Sequence, residues 1–266
     1  RCFYGQVERL KENEITDIIM VIGHLGDKIK EYFGDGEKFG VSIRYFEETE
    51  PLGTAGSFYY LKDMIHGDRF VMMSGDLFFD IDFQRMIRFH EEKGAVATLF
   101  VHPNGHPFDS DLLVLDKDDK ITAFDSKHNV RDYWYKNCVN AGIFVFEKKI
   151  CDYVPEPVKR NLENDVIKGM LEAGEPIYGY CSPEYVKDVG TVDRVNQTLA
   201  DIERGVIAGN ALEISSAVSL WTGTVRSTST RSCIQGRGLY VGGLRSRRDP
   251  EDQPVGKTWN RYHKPA

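Results

Sequence analysis

Two aspartates each follow a predicted strand. Asp76 ends FVMMSGD, behind a glycine that lets the backbone turn sharply, and Asp188 lies in EYVKDVGT, before a predicted helix. Ligands of open α/β sheets bind at the carboxyl ends of strands. Two carboxylates there can hold Mg²⁺ together with substrate phosphate oxygens, and the ion would neutralise charge at phosphorus. On the residues alone a turn or helix-capping role competes with this interpretation, and for Asp188 the spacing favours capping.

A glycine-bearing loop, EETEPLGTAGS, runs into a predicted helix. The amides at a helix N-terminus and the helix dipole favour anions and hydrogen-bond acceptors, so the loop is a candidate ligand contact. An ordinary strand-to-helix connection would use Pro51 and Gly53 in the same way, and this alternative stays open.

The elements that must position these residues alternate regularly along the chain. Four units of an apolar or alternating stretch followed by a helical pattern run up to AVATLFVHP, which predicts a mostly parallel sheet covered by helices on both faces. DLLVLDKDDKITAF then predicts a hairpin with an Asp-rich turn. CVNAGIFVFEKK predicts a strand, and NLENDVIKGMLEAG and VDRVNQTLADIERG predict helices. The ordered pattern ends near Gly209.

Composition bounds the class of protein. The chain has 266 residues, of which 41% are hydrophobic, enough for a sizeable core. Five cysteines without a CxxC pair favour neither a disulfide framework nor a zinc cluster, so we expect a cytoplasmic protein. No apolar run approaches the roughly 20 residues of a membrane span, so no membrane partner is expected. Oligomerisation stays open.

Five segments occur in the order found in sugar nucleotidyltransferases: EPLGTAGS, SGD, VNAGIFVF, LENDVI and KDVGT. Over residues 1–208 the chain resembles the hexose- and heptose-1-phosphate guanylyltransferase branch of that family. The resemblance implies a Rossmann-like, GT-A-like α/β fold and a transferase domain over residues 1–209. It also implies transfer from a nucleoside triphosphate, GTP being favoured, to heptose or mannose 1-phosphate, with Mg²⁺ as cofactor and release of pyrophosphate.

The resemblance also implies roles for the first two sites. Asp76 and Asp188 correspond to the Mg²⁺-binding pair of the family. Leu52, Gly53 and Thr54 correspond to the loop that holds the nucleotide base through backbone contacts.

Three further residues correspond to contacts with the sugar 1-phosphate. Asn140 of VNAG and Glu163 of LEND resemble residues that hydrogen-bond sugar hydroxyls, and a carboxylate that accepts from two hydroxyls both orients and selects the sugar. Lys127 of AFDSKH stands near the lysine of the family's Glu-Lys-Pro element, which neutralises phosphate, although the residues around it depart from that element.

The chain also departs from the family at its first residues. The glycine-rich GGxGTRL loop and the strand before it do not occur, so we expect a domain that lacks its first strand and phosphate cradle and is inactive by itself. The alternative is a non-catalytic regulatory or sugar-nucleotide-binding homologue. The two retained aspartates count against that alternative.

The tail, residues 210–266, breaks the pattern. Residues 215–266 carry nine Lys and Arg against three Asp and Glu, with few hydrophobic residues, so we expect a disordered or aberrant segment. In a shifted frame SLWTGTVRSTST permits Asp-Arg-Asp-Gly-Thr-Ile-Asn, which resembles the motif of a haloacid-dehalogenase-type phosphatase that follows the transferase domain in some relatives. The rival interpretation is a basic arm for nucleic acid, but its aromatic residues are isolated, so no nucleic-acid partner is expected.

Overall fold

A computed structural model describes residues 2–23, 26–207 and 239–244. The α-helices in these ranges are α1 Cys2–Glu12, α2 Gly26–Phe33, α3 Phe58–Met64, α4 Phe83–Glu92, α5 Lys168–Glu172 and α6 Val192–Glu203. The strands are β1 Asp17–Ile22, β2 Ser42–Glu47, β3 Arg69–Ser74, β4 Leu77–Asp80, β5 Ala97–His102, β6 Leu112–Leu115, β7 Ile121–Asp125, β8 Val139–Glu147, β9 Ile177–Cys181, β10 Tyr185–Asp188 and β11 Leu239–Leu244. Short 3₁₀ helices span Glu37–Phe39, Pro107–Asp109 and Lys148–Tyr153, and a π-helical turn, Leu162–Ile167, leads into α5.

The main sheet has the strand order β2-β1-β11-β3-β8-β5-β9. Strands β2, β1, β3, β5 and β9 run in one direction, while β8 and β11 run the other way. The sheet is therefore mixed but mostly parallel in direction, which confirms the predicted α/β class. Residues 18–22 of β1 and 70–73 of β3 are apolar and buried because helices cover both faces.

Two hydrophobic clusters lie on opposite faces of the sheet. Alternate residues of β1 divide between them, Ile19 and Val21 on one side and Ile18 and Met20 on the other. Helices α3 and α5 pack on the first face, and α1, α2 and α4 pack on the second. The buried residues of α4 are Phe83, Met86, Ile87 and His90, whose spacing is that of one helical face.

The predicted hairpin is formed by β6 and β7, which pair antiparallel. Asp116 Oδ1 accepts from the amides of Asp118 and Lys120, at 2.8 and 2.9 Å, and these bonds fix the turn. Strand β6 also pairs with β8 through Leu112 and Val139. The hairpin is thereby attached to the edge of the sheet at which β8 begins.

A separate two-stranded ribbon joins β4 and β10 in antiparallel pairing. Helix α6 covers it through Val195, which packs with Phe78 and Val189 in a third apolar cluster. This packing connects the end of β3 to the start of α6, the two places where the candidate carboxylates lie.

Part of the tail belongs to the main sheet. Strand β11 lies between β1 and β3 and is antiparallel to both, with Leu239 opposite Val21 and Ser74. The expectation of disorder over residues 210–266 is therefore wrong for residues 239–244, because two neighbouring strands leave backbone groups that this segment pairs. The rest of the tail, including the shifted-frame motif, lies outside the described residues.

The helices of the described residues differ in length and apolar character from membrane-spanning helices. None of them combines the length and the apolar character needed to cross a membrane.

Candidate functional site

Asp76 and Asp188 are brought together by the β4/β10 ribbon. Asp76 lies in the turn between β3 and β4, and Asp188 ends β10 opposite Leu77. The amide of Val189 donates to the Asp76 carbonyl at 2.7 Å. A Cβ atom at Gly190 would lie 3.3 Å from Asp188 Oδ1 and 3.5 Å from Asp76 Oδ2, so both carboxylates face the same small space.

Neither aspartate caps a helix. The side chain that caps α6 is Thr191, whose Oγ1 accepts from the Arg194 amide, and α4 is capped by Asp82. Asp188 Oδ1 instead accepts from the Gly190 amide at 3.0 Å. The helix-capping alternative therefore fails for both residues, whereas the Asp188 carboxylate does stabilise the turn at Gly190.

Asp76 is exposed, but the surrounding protein partly desolvates its carboxyl group. This desolvation, and secondly the charge of Asp188, raise the pKa of Asp76 above its ordinary value. Arg194 counters the negative charge, because its guanidinium forms an ion pair with Asp188 Oδ2. The carboxylate pair is thus a site where negative charge is crowded and a cation is favoured.

The carboxylate pair fits a hard cation that is shared with a substrate. Among the residues that the structure describes, no group of three or more His, Cys, Asp or Glu side chains could hold a metal ion. Mg²⁺ in nucleotide sites is commonly held by one or two carboxylates, with phosphate oxygens and water completing its shell. An ion bound to Asp188 Oδ2 would have to displace Arg194 from that oxygen.

Gln6 on α1 is a further residue of this site that the sequence did not single out. Its side chain is buried, and Nε2 donates to the carbonyls of Leu77 at 2.7 Å and Ser74 at 3.3 Å. These two carbonyls bracket the turn that carries Asp76. The sequence offered only a single amide on the apolar face of a helix. It did not predict which groups the amide would bind.

Asn140 and Glu163 also lie close together, and we call them the sugar pair after the role that the sequence predicts for them. Strand β8 begins at the edge where the antiparallel β3 ends, so Asn140 reaches the same edge as Asp76. Asn140 Nδ2 lies 3.4 Å from Glu163 Oε1, and its Oδ1 accepts from the Gly142 amide at 3.1 Å. Burial first, and the charge of Asp111 second, raise the pKa of Glu163.

The loop of Leu52, Gly53 and Thr54 packs against the backbone of Arg160. The Leu52 carbonyl accepts from the Arg160 amide, and the Thr54 amide donates to the Arg160 carbonyl. Gly53 has φ +81°, and a Cβ atom there would lie 2.2 Å from the Arg160 carbonyl oxygen. These backbone groups are already hydrogen-bonded within the chain. The loop therefore packs against the Arg160 backbone beside the site.

The same loop is tied to the sugar pair. Thr54 Oγ1 accepts from the amide of Leu162 at 2.7 Å, in the turn that carries Glu163. Lys127 is exposed, and its amide donates to Asp111 Oδ1 at 2.8 Å. The candidate residues thus form two local groups at one edge of the sheet, the carboxylate pair and the sugar pair with its neighbours.

This geometry can be compared with known proteins. The family model described as nucleotidyl transferase matches residues 1–205. The chain belongs to the nucleotidyl transferase family. Curated proteins similar to this chain include sugar-1-phosphate nucleotidyltransferases.

Two of these relatives act on different sugars. The UTP–glucose-1-phosphate uridylyltransferase of Synechocystis sp. is 29% identical over 215 residues, covering 76% of this chain and 54% of that protein. The mannose-1-phosphate guanylyltransferase of Mycobacterium tuberculosis is 28% identical over 207 residues, covering 77% of this chain and 57% of that protein. The chain therefore spans a little over half the length of these curated relatives.

Solved structures share the fold. A putative glucose-1-phosphate thymidylyltransferase from Bacillus anthracis, in complex with a sucrose, has a TM-score of 0.66 at 20% identity over 79% of this chain and 85% of that one. HddC from Yersinia pseudotuberculosis has a TM-score of 0.63 at 18% identity over 73% of this chain and 82% of that one. A second HddC structure is complexed with GMP-PN. At these identities the likeness supports the fold alone.

Proposed function

We propose that this nucleotidyl transferase domain forms a nucleoside diphosphate sugar from a nucleoside triphosphate and a sugar 1-phosphate. A phosphate oxygen of the sugar 1-phosphate attacks the α-phosphorus and forms the new P–O bond. The bond from the α-phosphorus to its bridging oxygen breaks, and pyrophosphate leaves with the electron pair. The single observation that carries the proposal is that Asp76 and Asp188, from separate segments, face one small space beside Gly190.

Each group of residues has a role in this proposal. The carboxylate pair would hold Mg²⁺, which supplies neutralisation of phosphate charge when bound. Asn140 and Glu163 would orient the sugar hydroxyls, and Lys127 would neutralise the sugar phosphate. Leu52, Gly53 and Thr54 would line the base subsite, with Leu52 O and Thr54 N already engaged by Arg160. Reactions of this type depend on positioning and charge, so no activated nucleophile of the protein is needed.

We propose GTP and either mannose 1-phosphate or heptose 1-phosphate as substrates, in the cytoplasm. The guanylyltransferase names of several relatives support the base and mannose, and the sequence resemblance includes the heptose branch. Free thiols at Cys138, Cys151 and Cys181 accord with a reducing compartment.

Turnover tests the reaction directly. The purified 266-residue chain is incubated with Mg²⁺, GTP or UTP, and mannose 1-phosphate or glucose 1-phosphate, and pyrophosphate and nucleotide sugar are measured. Formation of GDP-mannose supports the proposal and makes the expected inactivity of the chain wrong. Formation of UDP-glucose alone contradicts the proposed base and sugar.

Binding tests the site even in the absence of turnover. We expect Asp76→Asn and Asp188→Asn each to weaken Mg²⁺-dependent nucleotide binding by at least about tenfold, measured by calorimetry. Asp193→Asn is the matched control, since this exposed carboxylate lies in the first turn of α6. Equal binding by all three variants, or no binding of nucleotide or sugar phosphate by the folded parent chain, overturns the proposal.

One observation favours the non-catalytic homologue as a second candidate. Arg194 is already paired with Asp188, so its guanidinium stands where a metal would bind. In a protein that only binds sugar nucleotides, binding would persist with EDTA and weaken in Arg194→Met. In the catalytic protein, binding requires Mg²⁺ and Arg194→Met strengthens Mg²⁺ binding, because Asp188 is released.

A further inference from the structure

A clamped loop lies beside the sugar pair. The side chain of Arg131 is only 5% exposed and donates to the carbonyls of Pro107 and Ser110, both at 2.8 Å. Its Nε donates to Asp125 Oδ2 at 2.9 Å. All three nitrogens of the planar Arg131 guanidinium donate hydrogen bonds in this way. They hold the segment before β6, residues 107–110, in one position.

Asp111 is the last residue of this clamped segment. It is exposed, and its Oδ1 is fixed by the Lys127 amide. Strand β6 is antiparallel to β8 with Leu112 opposite Val139. Continuing this register by one residue beyond the start of β6 places Asp111 opposite Asn140. Residues opposite each other on paired strands present their side chains on the same face.

The Asp111 carboxylate also affects the pKa of Glu163. Burial raises the pKa of Glu163, a backbone hydrogen bond at Glu163 lowers it, and the Asp111 charge raises it to a smaller extent. Asn140 Nδ2 lies 3.4 Å from Glu163 Oε1, so the register that places Asp111 opposite Asn140 also places it beside this pair. Together the three side chains offer two carboxylates that accept hydrogen bonds and one amide that donates.

We infer that Asp111 is a specificity-determining residue that accepts a sugar hydroxyl and, with Glu163, restricts the substrate to sugars whose only charge is the anomeric phosphate. This inference rests on the proposed function, because it names the substrate class of the same sugar subsite. Hydroxyl groups donate to carboxylates, and such charge-assisted bonds are strong. A sugar acid would instead bring a third carboxylate against two that are already crowded, and like charges placed together at an interface are strongly disfavoured.

A matched pair of ligands tests the inference. Mannose 1-phosphate and mannuronic acid 1-phosphate differ only in a CH₂OH group against a carboxylate. We expect the chain to bind the neutral sugar at least about tenfold more tightly, in Mg²⁺ at pH 7.5, by calorimetry or ligand-observed NMR. In Asp111→Asn this preference should shrink several-fold, since a charge is removed while the oxygen that accepts from Lys127 is kept.

Asp109→Asn is the control, because this exposed carboxylate of the same loop pairs with His106. Its sugar preference should equal that of the parent chain. Equal binding of the two sugars, or an unchanged preference in Asp111→Asn, overturns the inference and leaves the proposed function standing. If neither sugar phosphate binds to the folded chain, the sugar subsite itself fails, and with it both the proposed function and this inference.

Discussion

Gln6 shows how a single buried side chain can set the position of a candidate catalytic carboxylate. Its Nε2 bonds the carbonyls of Ser74 and Leu77 on either side of Asp76. Buried carbonyls that lose their donor are costly, because no water replaces it. The turn geometry therefore depends on a helix distant from it in sequence.

Replacing Gln6 by Met removes the donor and keeps the length of the side chain. We expect the free energy of unfolding to fall by about 2 kcal/mol and Mg²⁺ affinity to fall several-fold, because the Asp76 turn loosens. Denaturant unfolding and Mg²⁺ titration measure the two effects. Gln84→Met is the control, since Gln84 bonds the Asn13 carbonyl away from this turn and should cost stability alone. Unchanged Mg²⁺ affinity in Gln6→Met would show that Gln6 does not position Asp76.

His90 is a buried histidine held in its neutral form. Its side chain is 1% exposed, with Nδ1 2.9 Å from Thr98 Oγ1 and Nε2 3.3 Å from Glu147 Oε1. Burial, and then the charge of Arg69, lower the pKa of His90 from 6.5 to about 4. Burial also raises the pKa of Glu147, the carboxyl group that faces Nε2.

The free energy of unfolding should therefore decrease at acidic pH because of His90. The unfolded chain takes up a proton near pH 6.5 and the folded chain only near pH 4. The contribution of His90 is present above pH 6.5 and is lost as the pH falls towards 4, by about 3 kcal/mol in all. His90→Gln should remove this part of the slope when unfolding free energies are measured across that range. Parallel pH profiles for parent and variant would show that His90 is not the group that titrates.

At the scale of elements, the loop of residues 52–56 couples two parts of the candidate site. It packs on the backbone around Arg160, and Thr54 caps the turn that carries Glu163. The positive φ of Gly53 is required by this close approach and not by the turn alone. The loop of residues 52–56 and the sugar pair should consequently move as one unit.

Gly53→Ala tests that coupling. We expect a loss of at least about 2 kcal/mol in unfolding free energy, because the Cβ atom meets the Arg160 backbone and the φ is strained. Gly174→Ala has a similar positive φ, of +75°, with nothing within 4 Å of its Cβ atom, and should cost only about 1 kcal/mol. Denaturant unfolding of both variants measures the difference. Equal costs would mean that the contact with Arg160 does not constrain the loop.

At the scale of the whole molecule, β11 decides whether the main sheet is continuous. It joins β1 and β3, which do not pair with each other in the described sheet. Removing it would leave two central strands with unpaired backbone groups, which are costly when buried and promote association when exposed.

Deletion of residues 239–266 should therefore destabilise the protein far more than deletion of residues 245–266, which keeps β11. We expect the longer deletion to lower the unfolding midpoint by roughly 5 °C or more and to cause self-association. Calorimetry and sedimentation velocity measure the two effects. If both deletions behave alike, β11 does not contribute to the stability of the sheet.

Much of the framework could be predicted from local pattern. Apolar runs located strands such as β3 and β5, and the Asp-rich turn located the hairpin. These features depend on neighbouring residues, so the sequence contains their signal. The placement of residues 239–244 depends on two strands far away in sequence, and the tail's composition alone suggested disorder.

The sequence by itself determined that Asp76 and Asp188 follow strands, that Asn140 and Glu163 are polar residues beside apolar runs, and that the fold is α/β. Only the tertiary structure decided that the two aspartates face one space, that Gln6 bonds the turn carrying the first of them and that β6 pairs with β8 beside Asn140. The physical reason is that periodicity specifies which face of an element is buried. Strand order and register, which bring distant side chains together, arise from contacts between elements.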